Sequence, residues 1–167
     1  MPVLPYITER LMGAATVQFG ELPIGETEEG VVIEPKVETQ IQDKADQMAG
    51  AAGVYVIKAG FTVKATLTRF SAELYAAALG LTAIGASSGE AVVNFVWPTY
   101  LPQSPLKIAG TLADGRPVVW EFPAASVIPS AGVTLSREPA GVPISWECLV
   151  DPANTQSFGK MTIGATP

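Results

Sequence analysis

With 167 residues, 48% of them hydrophobic, and a formal charge of −6, the chain has the size and apolar content of one folded domain, residues 1–167, and excludes a disordered polymer. It has no histidine and one cysteine, which excludes Ser-His-Asp and Cys-His nucleophiles, removes the commonest zinc ligand and rules out an internal disulfide. Residues 1–46 hold nine acids and three bases while 47–167 hold seven of each, so the net charge lies in the first quarter of the chain and disfavours nucleic-acid binding.

Residues 1–14 match no periodic element and are expected to form an extended arm. Pro2, Pro5 and Glu9 stand where a secretory signal would have its basic start and apolar core, so no such signal is expected. The single cysteine fits a reducing compartment. Gly20 to Thr27 fits the phosphate-loop template Gly-x-x-x-x-Gly-Lys-[Ser/Thr] except that Glu26 replaces the lysine. Together with Glu28 and Glu29 it would set three carboxylates against the phosphates, and a strand rather than a helix follows. A surface turn before a strand is the reading that survives.

From Val31 to Ile41 the odd positions are mostly apolar and the even ones carry Glu34, Lys36, Glu38 and Gln40, the period of a strand with one covered face. Pro35 cannot donate to a ladder, which predicts an edge or a bend there. Residues 43–53 have neither helical nor strand period and form a long loop, of a length that is usually functional or disordered. Its Met48 and alanines suit docking on a partner.

Phe61 to Thr68 again alternates, with Phe61, Val63, Ala65 and Leu67 inward. A short helix is expected over about 71–80: Ser71 caps it, Glu73 suits its positive end, Phe70 and Tyr75 form a staple and Gly80 ends it. Two turns are not stable alone, so Leu74, Ala77, Ala78 and Leu81 must dock on a sheet. The longest nearly apolar run, Leu74 to Ala86, has 13 residues, too short to span a bilayer, and no membrane insertion is expected. Ala91–Trp97, Leu106–Leu112, Val118–Phe122 and Ile144–Val150 are further strands, and Asp114-Gly115 predicts a tight two-residue hairpin. Ile144, Trp146, Cys148 and Val150 share one face, which makes Cys148 a small buried hydrophobe. Frequent Gly and Pro between short strands predict a mainly β protein, an antiparallel β-sandwich or barrel with one docked helix. Nothing marks a pair among the sixteen acids for carboxylate catalysis, so no catalytic, metal or cofactor site is expected and the chain is read as a non-enzyme.

This order of features resembles the major tail tube proteins of long-tailed bacteriophages, whose fold is shared with the needle protein of type VI secretion systems. The likeness rests on the Val17–Gly25 hairpin, the acidic start of the next strand, the 43–53 loop and the Thr62–Gly80 strand-to-helix passage. It extends to the Leu112–Pro129 hairpin with its Phe-Pro turn and to a closing strand pair within Pro143–Gly164. The resemblance implies a virion tail component, made in the host cytoplasm, in which six subunits join strand edges into rings and the rings stack into a hollow tube. Its partners would be other copies, a tape-measure protein and tail-tip or tail-terminator proteins, with DNA passing through the lumen without specific binding. On this reading Asp43, Lys44, Asp46, Gln47 and Met48 lie at a subunit interface, and Glu34, Lys36 and Glu38 face the lumen. If that strand's polar side instead faces out, Thr62, Lys64 and Thr66 of the next strand take its place. The alternative is a monomeric β-sandwich module binding carbohydrate or protein. Aromatics are few (8%) and sit mostly at core-facing positions, which disfavours a sugar platform. The bland reading of the acidic segment is a solvated face that keeps the chain soluble.

Overall fold

Period-two alternation builds most of the molecule. The structure, a computed structural model, describes residues 11–42, 53–68, 71–81, 84–87, 89–129, 141–154 and 156–164. In chain order these form β1 (Leu11–Phe19), β2 (Leu22–Gln42), β3 (Gly53–Leu67), α1 (Ala72–Ala78), β4 (Ile84–Ser87), β5 (Glu90–Val92), β6 (Gln103–Leu112), β7 (Pro117–Ile128), β8 (Val142–Cys148) and β9 (Lys160–Ile163). Seven strands make one antiparallel sheet in the order β6-β1-β2-β3-β8-β7-β9, and β4 and β5 make a separate pair. A further β6–β7 ladder curls the sheet back on itself. It is not a barrel closed along its length: β2 and β3 run on past their neighbours, and among the described strands β9 pairs only with β7.

The alternating inward residues become the core. Val63, Leu67, Leu106, Ile108, Val118, Ile144 and Trp146 are all buried, with Trp146 fully enclosed beside Phe19. The first hairpin turns tightly at Gly20-Glu21, where Gly20 has φ +61° and Phe19 faces Leu22, so the apparent phosphate loop is a strand turn. The strand expected from Val31 already begins at Leu22. A register shift between Thr27 and Val31, where Gly30 has φ +85°, separates the part paired with β1 from the alternating part. Leu11 to Ala14, expected within an arm, open β1.

The helix is built as its sequence signals predict. Ser71 Oγ accepts from Leu74 N at 3.1 Å, and at the other end Leu81 N bonds Ala76 O while Gly80 N bonds Ala77 O, a Schellman closure with Gly80 at φ +70°. Leu74, Ala76, Ala78 and Leu81 are buried, and the helix lies on β7 and β8. Ala76 rather than Ala77 completes the buried stripe. Phe70 of the expected staple lies outside the described residues, and Tyr75 packs edge-on against Phe95.

Four expectations need correction. The strand expected over Ala91–Trp97 is only Glu90–Val92, because Trp97 Nε1 donates to Leu79 O at 2.9 Å and draws the chain across the helix end. The Asp114-Gly115 hairpin forms with three residues, not two, between the bonded Leu112 and Arg116, and both Asp114 oxygens accept from Arg116. The two last strands do not pair with each other: β8 takes Ala125–Ile128 of the long β7, and β9 takes Val118–Glu121. Val150 leaves the buried face because β8 stops at Cys148.

Candidate assembly surface

The length of β2 and β3 is what sets this surface apart. β1 flanks β2 only as far as Glu26, and β8 flanks β3 only from Phe61 to Leu67. Residues Lys36–Gln42 and Gly53–Gly60 therefore form a two-stranded ribbon with no described strand on either side. The inward face of the body is carried onto it: Ile33↔Val63 and Pro35↔Phe61 are followed by Val37↔Ala59 and, past a register shift between Glu38 and Thr39, by Thr39↔Val56 and Ile41↔Val54. On the ribbon this face is uncovered, with Val37 53%, Ile41 60%, Val54 64% and Val56 60% exposed. Pro35 sits where β2 has a ladder on one side only, which is why its missing N–H is tolerated. A lone two-strand ribbon is marginal in water, and bare strand edges with apolar sides invite pairing with another chain.

The opposite face carries the expected lumen residues. Glu34, Lys36 and Glu38 are all exposed on one side of β2. Glu34 pairs with Lys64 at 2.7 Å, Lys36 pairs with Glu147 at 2.9 Å, and Thr62 Oγ1 donates to the same Glu147 at 3.1 Å. Glu38 stands across the ladder from Lys58. Glu34, Glu38 and Glu147 thus meet Lys36, Lys58 and Lys64, and the patch is neutral. A charge count along the chain misses this, because the compensating bases come from β3 and the third acid from β8. A second ionic group lies on β6, β7 and β9, where the hydrogen-bonded Lys160 and then Lys107 hold the Glu121 carboxyl below its ordinary value. The interface candidates Asp43, Lys44, Asp46, Gln47 and Met48 lie outside the described residues. The strands on either side of them close at the Gln42↔Gly53 pair.

A groove of about 340 Å³ opens where β8 stops, its walls including Ile33, Phe61, Trp120, Phe122, Phe158 and Met161. Phe61 packs against Phe122 and Phe158 with ring centroids at 5.7 and 6.4 Å. Beside it a larger cleft of about 560 Å³ is lined by Lys107, Glu121, Asp151 and Lys160 among others. Sequence reading missed the groove because its aromatics are scattered from position 61 to 158. The adjacent alternation of Trp120 and Phe122 on β7 is the one local hint. Among the described residues no group of three or more His, Cys, Asp or Glu side chains could hold a metal. Cys148 is buried, and desolvation, helped by the neighbouring Glu147 charge, pushes its thiol up to about 12.

No protein-family model matches the chain, and no curated protein matches it.

Proposed function

We propose that the chain is a structural subunit that assembles with copies of itself, and specifically a tail tube subunit whose six-membered rings stack into a hollow tube for DNA. The observation that carries this reading is the β2–β3 ribbon, whose apolar face is an uncovered continuation of the core. A monomer leaves that face in water, whereas joined copies bury it. On this reading the loop at 43–53 belongs to the subunit contacts. The tape-measure and tail-end proteins are further partners, and the chain performs no chemistry. The cleft beside Glu121 is what favours the second reading, a monomeric binding module. Electron microscopy of the purified chain separates the two: rings with six-fold symmetry or tubes are expected, and monodisperse particles at all concentrations overturn assembly.

A further inference from the structure

We infer that the groove lined by Ile33, Phe61, Trp120, Phe158 and Met161 is the seat for the β2–β3 ribbon of a second copy of this chain. This rests on the assembly reading above and names the two surfaces that carry it. Both are mainly apolar. The ribbon offers Val37, Ile41, Val54 and Val56 at half exposure or more, and the groove is walled mostly by aliphatic and aromatic side chains, with Gln156, Ser157 and Lys160 also lining it.

The ribbon of the same chain cannot fill the seat. Ile33 and Phe61, which line the groove, stand at the ribbon's own root, and the ladder runs unshifted from Val31↔Ala65 to Glu38↔Lys58. Folding back would break that ladder. A neighbour's ribbon meets no such restriction.

The groove also offers backbone pairing. β9 is bonded only to β7 among the described strands, and all four of its residues, including Met161 and Ile163, are exposed. An incoming strand can add to that edge while its alternate side chains enter the groove, the mode of β-strand addition. The lengths are comparable: the ribbon's apolar positions from Val37 to Ile41 span about 13 Å and the four residues of β9 about 10 Å. Because ribbon and groove are different surfaces, the contact runs head to tail. It closes as a ring or continues as a filament, and does not stop at a two-fold dimer.

The test uses the full chain in two variants that each add one cysteine, Val56→Cys and Met161→Cys, with the Met161 variant carrying a size tag. Both positions are more than half exposed, so neither change disturbs the core, and the native Cys148 is buried. Mixed and mildly oxidised, the two should yield a disulfide-linked heterodimer at several times the level given by Val56→Cys with Thr99→Cys, an exposed control. Rings or tubes that form with no preference for Met161 over Thr99 overturn this seat and leave the assembly reading standing. Particles that stay monomeric overturn both. A Val56→Lys variant, folded by circular dichroism, should lose the cross-linkable contact and need at least ten-fold more protein to assemble. Unchanged assembly by that variant likewise overturns the seat.

Discussion

Trp146 and Cys148 face the core from β8 while Glu147 between them turns outward to Lys36 and Thr62, so three consecutive residues divide between packing and surface charge. The fully enclosed Trp146 should make Trp146→Ala cost about 3–5 kcal/mol, read as a lower urea midpoint. Replacing Glu147 instead removes an ion pair whose partners are 56% and 34% exposed, worth about 0–1 kcal/mol. Cys148 should label slowly with thiol reagents in native buffer; rapid labelling would show its burial wrong. Its folded value, about 12, lies above the ordinary 9.0, so folding favours the protonated thiol. That contribution is complete below pH 9 and declines as the pH rises toward 12. Urea titrations should therefore show wild type losing more stability across that window than Cys148→Ala loses.

Elements with a local cause could be read from the chain, and elements decided by distant partners could not. Ser71, Glu73 and Gly80 announced α1, and alternation announced β2, β3 and the face of β8. Val93 to Trp97 has strand composition, yet becomes a strap because the indole of Trp97 finds the carbonyl at the helix end. The β2–β3 ribbon was only partly legible: alternation showed Val31–Ile41 and Phe61–Thr68, but not that β3 starts at Gly53, nor that β8 and β1 would stop short and leave the ribbon uncovered. The groove was not legible at all, since its walls come from β2, β3, β7 and the segment around β9. At this scale the loop carries the next prediction. Gln42 faces Gly53, so residues 43–52 can be replaced by an Asn-Gly turn that closes the ladder directly. The shortened chain should remain a folded β protein and fail to form long tubes. Negative-stain images of normal tubes from it would remove the loop from the assembly.

At the scale of the whole molecule, the net charge poses the sharpest question. In the proposed tube, six subunits at −6 would give 6 × −6 = −36 per ring, a field that would keep DNA phosphates from settling on the wall. Screening confines that field to about 8–10 Å at physiological salt, so only acids on the lumen matter. Glu34 is tied to Lys64 and its patch is neutral, so this strand cannot repel DNA by excess charge. Two of its bases are held by acids, since each of Lys36 and Lys64 has a carboxylate within 2.9 Å. Replacing Glu34 and Glu38 with lysine releases Lys64 and turns the patch from balanced to four units positive, since each replacement changes the charge by two. Both side chains are exposed, so the subunits should still fold and form tubes. If the patch lines the lumen, the variant should eject its genome more slowly than wild type, and the deficit should widen as salt is lowered and screening weakens. Ejection kinetics equal to wild type at every salt concentration would place this face of β2 away from the lumen.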